Sequence, residues 1–231
     1  MVRFIFAAKM TVDEELVAFL SQYVTENKKS KMAGALQQRT RHIAVVLEEI
    51  YQPHNASACL RNCDCLGVQD LYIVENRNSY QPNNGVSMGS AKWLSLHRYR
   101  ETASAVATLR NQGYRIVATT PNYEGYDPVS LPLDQPVALL FGTEERGLTE
   151  KAIQSADDYL CLPMYGFTQS YNISVTVAIT LYRLVERLRD SEIHWQLEEA
   201  DKTKILLEWY RRIVRRHDLL EEEFWKEKEN T

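Results

Sequence analysis

Several features are scarce or missing in this 231-residue chain, and each shortage closes off a class of function. No apolar run approaches the roughly 20 residues that a membrane-spanning helix requires. The opening "MVRFIFAAKM" has too short an apolar stretch for a signal peptide, and its "AAKM" is a poor cleavage site, so a cytoplasmic protein is expected. Cysteine is limited to Cys59, Cys63, Cys65 and Cys161, the first three spaced C-x3-C-x-C. Zinc sites pair cysteines as C-x2-C and need a second pair, which does not follow, so reduced, partly buried thiols are expected. His42, His54, His97, His194 and His217 show no metal-ligand spacing either, and no metal is expected. There is no G-x-G-x-x-G, which argues against a dinucleotide cofactor. Gly142-x4-Gly147 has the outline of a phosphate loop, but Leu148 stands where lysine is required, and Glu144 and Glu145 repel phosphate. No convincing Ser-His-Asp order or paired-carboxylate motif appears; His54, a lone loop histidine, is read as structural. Positive charge is also short, with a net −4 that argues weakly against nucleic-acid binding.

That average hides an asymmetry. Lys28, Lys29, Lys31, Arg39 and Arg41 form one run with no acidic residue between them. Lys202, Lys204, Arg211, Arg212, Arg215 and Arg216 form a second, against a single Glu208. A lone charge run is usually a solvated face. Two runs flanking one domain suit arms for an anionic polymer. Between them, short apolar strands alternate with helical patterns. Strands are expected at 43–50, 70–75, 95–99, 114–120, 137–142 and 159–164, and helices at 56–66, 101–112, 149–156 and 173–189. This alternation predicts an α/β fold with a parallel sheet covered on both faces. Thr11-x-x-Glu14 is a capping box opening a helix with Leu16, Phe19, Leu20 and Tyr23. Residues 26–40 read as a polar linker, 76–92 as a loop with one helical turn, and 191–228 as a helical tail. Three domains follow: an N-terminal helical extension and basic linker over 1–41, a central domain over 42–190, and a C-terminal helical extension over 191–231.

Three stretches carry the chemistry. "PHNASACLRNCDCLGV" (53–68) has Asn55 as helix N-cap and Gly67 just past the helix end. Arg61 then falls mid-helix among small and apolar residues. It either extends its head to water or pairs with Asp64, or it is a fixed guanidinium aimed at a phosphate or a reacting oxygen. "LLFGTEERGLT" (139–149) is a strand–helix turn whose glycines let backbone approach a ligand. "LPMYGFTQSYNISVTVAITLYRL" (162–184) leaves a strand through Pro163 and Gly166 and enters a helix capped by Asn172 or Ser170. That helix is apolar almost all round, which calls for core on one side and a partner subunit on the other. Strands 114–120, 137–142 and 159–164 each end in a polar or glycine-bearing loop, and the three loops would form one site, since ligands in parallel α/β sheets sit beyond the strands' carboxyl ends.

In this order, the three motifs resemble the SPOUT superfamily of RNA methyltransferases, and within it the TrmH (SpoU) 2′-O-ribose methyltransferases, over roughly 43–189. The resemblance implies a deep trefoil knot in the C-terminal part of the domain, a homodimer with the site near its interface, and S-adenosylmethionine held in the knot loops. By position, Thr119, Gly142, Glu144, Gly147, Leu162, Met164, Ser170, Tyr171 and Asn172 are the expected cofactor-binding residues, with Arg61 and Asn55 catalytic. Tyr171 departs from the leucine common in the family. The short extensions look more like those of transfer RNA enzymes, which modify a D-loop guanosine, than of ribosomal RNA enzymes. Lys28, Lys29, Lys31, Arg39, Arg41, Arg211, Arg212, Arg215 and Arg216 would then contact RNA. The alternatives are a ribosomal RNA methyltransferase, an RNA-binding protein on the same fold that has lost catalysis, and a small-molecule α/β enzyme.

Overall fold

The computed structural model describes residues 10–50, 52–75 and 89–229, so the first nine residues and most of the expected 76–92 loop lie outside it. The chain divides into two compact units: one takes the residues up to Gln38 together with those from Leu197 onward, the other spans Arg39–Gln196. The terminal extensions, separate in the sequence, therefore fold as one unit.

In the first unit, the Thr11 hydroxyl accepts from Glu14 N–H at 3.3 Å and the Glu14 carboxylate accepts from Thr11 N–H at 2.6 Å, opening α1 (Val12–Ser21) as the capping box predicts. The expected polar linker is instead a helix, α2 (Glu26–Leu36). Its only deeply buried side chains, Met32 and Leu36, lie one turn apart, so its apolar signal is a single pair in a polar stretch. The tail supplies α7 (Glu199–Ile213) and α8 (His217–Glu229). Leu16 and Leu20 of α1 are buried, as are Ile205, Leu207 and Trp209 of α7, and Phe19 meets Phe224 of α8 at 5.4 Å between ring centres.

The second unit is built on a parallel sheet. Its strands are β1 (Ile43–Glu48), β2 (Asp70–Val74), β3 (Ser95–Tyr99), β4 (Arg115–Thr119), β5 (Val137–Phe141) and β6 (Asp158–Leu160). Their spatial order is β3-β2-β1-β5-β4-β6, and every pairing is parallel. β1 and β5, in the middle, are buried at every position, as strands covered on both faces must be. Ile43, Val45 and Leu47 face α3 (Pro53–Cys65) and α6 (Ile173–Arg189). Ala44 and Val46 face α4 (Thr102–Asn111) and α5 (Glu150–Gln154). Each leucine that α6 buries here, Leu181, Leu184 and Leu188, contributes roughly 1.5–3 kcal/mol.

α6 spans the expected residues, but this chain buries only one side of it. Val175, Ile179 and Tyr182, at helical spacing, are 42–56% exposed. α3 starts earlier than expected, at Pro53, with Gln52 as N-cap, so Asn55 is not the cap but lies within the first turn. Proline at the first helical position gives up an N–H that would be unpaired anyway. Gly67, at φ 76°, closes α3: its N–H bonds Asp64 O at 3.3 Å and Val68 N–H bonds Cys63 O at 3.0 Å. β6 is shorter than expected, because its partner β4 ends at Thr119, which pairs with Leu160. Among the described residues, no helix is long and apolar enough to cross a membrane.

Candidate active site

All strands being parallel, β4, β5 and β6 end on the same edge of the sheet, and the loops leaving them frame a cavity of about 390 Å³. The first wall follows Thr119, whose hydroxyl bonds Leu140 O at 2.7 Å and ties β4 to β5. The second is the turn after β5. It is closed by Thr143 N–H to Gly147 O at 3.0 Å and Gly147 N–H to Thr143 O at 2.9 Å. Gly147 sits at φ 68°, in the left-handed region. Gly142 is required for a different reason: a Cβ there would lie 2.1 Å from the Gly147 carbonyl carbon. The third wall is the 160–173 segment, which carries the exposed rings of Tyr165 and Phe167.

Thr119, Gly142, Glu144, Gly147, Leu162, Met164, Ser170 and Tyr171 all line this cavity. Asn172 does not. It caps α6, its Oδ1 accepting from Ser174 N–H at 2.9 Å, which resolves the choice between Asn172 and Ser170. Its amide also donates to Glu144 Oε1 and, at 3.3 Å, to Asn55 Oδ1. Asn55 donates to Glu144 Oε2 at 2.8 Å and to Gln52 Oε1 at 2.7 Å. Glu144 further accepts from Ile173 N–H at 3.4 Å, where the N-terminus of α6 favours negative charge. One residue from each motif thus meets in a single hydrogen-bonded cluster. A recess of about 40 Å³ lies on its Asn55 side, sharing Thr143, Glu144, Glu145 and Ile173 with the main cavity. Beneath it, burial and then the Glu144 charge push the Cys59 thiol up to about 12.

Sequence reasoning missed Gln52, and also Thr120, Pro121, Asn122, Gln169 and Thr176 of the lining. Thr120 and Gln169 are immediate neighbours of residues it did choose, and none of the six carries a motif of its own. Arg61 lies elsewhere. It is exposed on α3, lines neither cavity, and makes no hydrogen bond or ion pair with a described residue. Asp64 is not its partner, being paired with Arg39. His54 is exposed and lines neither cavity.

The basic runs are less uniform than they read. Arg39 is buried at 4% exposure against Asp64 and is not available to a polymer; it is corrected to a structural residue. Arg41 pairs with buried Asp70 at 2.9 Å, and Arg211 holds Glu221 through two bonds of 2.8 and 2.7 Å. Lys29 pairs with Glu26 at 2.5 Å and Arg212 with Glu208 at 3.4 Å. Lys28 and Lys31 on α2, and Arg215 and Arg216 between α7 and α8, are exposed and form no ion pair with a described residue.

Residues 42–182 match the model of the SpoU rRNA methylase family. The chain belongs to this family. It is 40% identical over 89% of its length to the tRNA (guanosine(18)-2'-O)-methyltransferase of Borreliella burgdorferi, covering 94% of that protein. It is 32% identical over 81% of its length to the enzyme of the same name from Thermus thermophilus, covering 98% of it. Among solved structures, the A. aeolicus TrmH/SpoU tRNA modifying enzyme superposes with a TM-score of 0.75 at 28% identity, over 82% of this chain and 98% of that one. The SpoU methyltransferase AviRb from Streptomyces viridochromogenes, in complex with the cofactor AdoMet, superposes with a TM-score of 0.58 at 25% identity, over 68% and 62% of the two chains. The family match spans the first two motifs, the third as far as Tyr182, and the Asn55–Glu144–Asn172 cluster. It leaves α1, α2, α7 and α8 outside.

Proposed function

We propose that this SpoU-family chain is an S-adenosylmethionine-dependent RNA 2′-O-ribose methyltransferase that acts on transfer RNA, at a D-loop guanosine. The observation that carries the reading is the cluster of Asn55, Glu144 and Asn172 beside the 390 Å³ cavity. The cavity is of the size that holds a cofactor. Its fit to S-adenosylmethionine rests on the Gly142–Gly147 turn, folded so tightly that a Cβ on Gly142 would strike the Gly147 main chain, and on a lining of mixed polar and apolar residues. Thr119, Leu162, Met164, Ser170 and Tyr171 would hold the cofactor, which supplies an electrophilic methyl group.

The rest of the chemistry is placement and charge. Glu144 accepts from an amide donor on each carboxylate oxygen, which ties its turn to Asn55 and Asn172. Arg61, a guanidinium that donates hydrogen bonds and has no lone pair to offer a proton, stabilises the alkoxide that develops on the ribose oxygen. It lines no cavity of its own chain, and we place it at the site of a second copy in a homodimer. Support comes from α3 and α6, which pack on each other. Their outward sides expose Arg61 from one and Val175, Ile179 and Tyr182 from the other, an apolar stripe that a second subunit would cover. We read the path after β6 as a trefoil knot. From the edge strand the chain returns past the Glu144 turn to α3, where Asn62 donates to Ser174 O at 2.7 Å. Lys28, Lys31, Arg215 and Arg216, exposed and forming no ion pair with a described residue, are the cations we assign to phosphate. We assign the activity to the cytoplasm and give it no metal.

The test is transfer of labelled methyl to separated transfer and ribosomal RNA, followed by alkaline hydrolysis, which spares the linkage next to a 2′-O-methylated ribose. Label in an alkali-stable, guanosine-containing dinucleotide from transfer RNA is expected. Label in ribosomal RNA alone would move the substrate. Cofactor binding without transfer to either would mark an RNA-binding relative that has lost catalysis.

A further inference from the structure

We propose that Glu48 is a positioning residue: its buried carboxylate holds the far end of the Gly142–Leu148 turn in its cofactor-binding shape. This rests on the reading that the cavity beside the turn takes S-adenosylmethionine. Glu48 ends β1 and is 2% exposed, yet no ion pair reaches it from any described residue. A carboxylate in such a place is costly unless donors surround it. Three do. Thr149 N–H donates to Oε2 at 2.8 Å, the Thr149 hydroxyl donates to Oε1 at 2.9 Å, and the Thr102 hydroxyl of α4 donates to Oε1.

Thr149 is the residue that matters. It follows Leu148, the last cavity-lining residue of the turn, and caps α5, its hydroxyl oxygen accepting from Ala152 N–H at 3.2 Å. The same hydroxyl therefore ends the turn, starts the helix and binds Glu48. The other end of the turn is held by the neighbouring residue of β1, since Leu47 pairs with Phe141 in the sheet register. Two consecutive residues of β1 thus fix entrance and exit, while Asn55, seven positions on, holds Glu144 between them. An apolar residue at position 48 would pack in the core but leave Thr149 N–H without an acceptor and the turn's exit free to shift. Glu49, directly after, adopts φ 54°, a strained conformation for a side-chain-bearing residue, where the chain leaves the sheet towards Asn55.

The test uses the full chain and S-adenosylhomocysteine as the binding probe, measured by calorimetry alongside thermal melting. Glu48→Gln and Thr149→Val are compared with Thr149→Ser, which keeps the hydroxyl, and with Val106→Ala, which opens a cavity in the core lined by α4 without touching these bonds. Glu48→Gln and Thr149→Val are expected to raise Kd about tenfold, equivalent to about 1.4 kcal/mol. Thr149→Ser should bind as wild type. Val106→Ala should melt earlier but keep Kd within about twofold, since a core cavity costs stability without reshaping the turn. Wild-type Kd in Glu48→Gln, or a Kd change in Val106→Ala matching its loss of melting temperature, overturns the positioning role while leaving the function intact. If Glu48→Gln fails to fold, Thr149→Val decides alone. No binding by the wild-type chain overturns the functional reading and this proposal together.

Discussion

Replacing Gly142 by alanine tests the cavity through a change of one methyl group. The added Cβ would lie 2.1 Å from the Gly147 carbonyl carbon and 2.2 Å from both Gly147 O and Leu148 N. Ordinary van der Waals contact begins at 3.4 Å, so the opposing backbone must retreat by 3.4 − 2.1 = 1.3 Å. All three atoms are main chain, and no side chain can swing aside to absorb the displacement. A movement of that size breaks the two hydrogen bonds that close the turn between Thr143 and Gly147. Their loss costs roughly 1–3 kcal/mol, and the turn that remains no longer presents the same backbone groups to a ligand. The expected result is a Kd for S-adenosylhomocysteine raised about 10- to 100-fold, with a fold that survives. Gly147→Ala, read by circular dichroism, shows what backbone strain alone does to the fold. It meets no atom within 4 Å but carries φ 68°, so it costs about 1 kcal/mol of strain and leaves the turn in place. Calorimetry on Gly142→Ala and circular dichroism on both variants are sufficient. Wild-type affinity in Gly142→Ala would refute the reasoning, because it would mean that the ligand does not read this turn.

Arg61→Ala is expected to lower methyl transfer by at least about 100-fold while leaving S-adenosylhomocysteine affinity unchanged, since Arg61 lines neither cavity of its own chain; equal activity would end its assignment. Burial pushes the Cys59 thiol up to about 12 and Cys63 well above its ordinary range, whereas Cys65 is exposed. A thiol reagent at pH 8 should therefore modify Cys65 quickly and reach Cys59 and Cys63 only on unfolding. Hydrogen bonds and charge from Arg211 hold Glu221 below the usual carboxylate range, so its stabilising effect is full above that range and is lost as pH falls through the depressed value. Glu221→Gln should accordingly destabilise the chain at pH 7 more than at pH 3, as read by denaturant melts; an equal difference at both would contradict the pairing.

The central sheet was legible because its strands are short apolar runs and α6 is a long one bounded by Asn172 and Arg189, signals that lie wholly within local sequence. α2 was not, since in an otherwise polar stretch only Met32 and Leu36 mark its buried side, and what they pack on is chosen by the fold. Asn55 shows a different limit. Its type and its place before an apolar run fit a helix cap, but the helix starts at Pro53 and the side chain is used 89 residues away, on Glu144. The two partners of such a bond carry no periodicity that points from one to the other. Arg39 fails for the same reason: a cation in a basic run looks solvated until the fold brings Asp64 against it. The nine residues expected from the motifs to bind cofactor are brought together in part: eight line one cavity and Asn172 caps α6.

The central claim is that loops after three adjacent parallel strands form one cofactor cradle. A crystal structure of the full chain grown with S-adenosylhomocysteine tests this most directly. The account predicts ligand density between Thr119, the Gly142–Gly147 turn and the Leu162–Tyr171 segment, with Arg61 of a second copy facing it. Density at any other place, or Arg61 remote from the ligand in every arrangement of subunits, would contradict it.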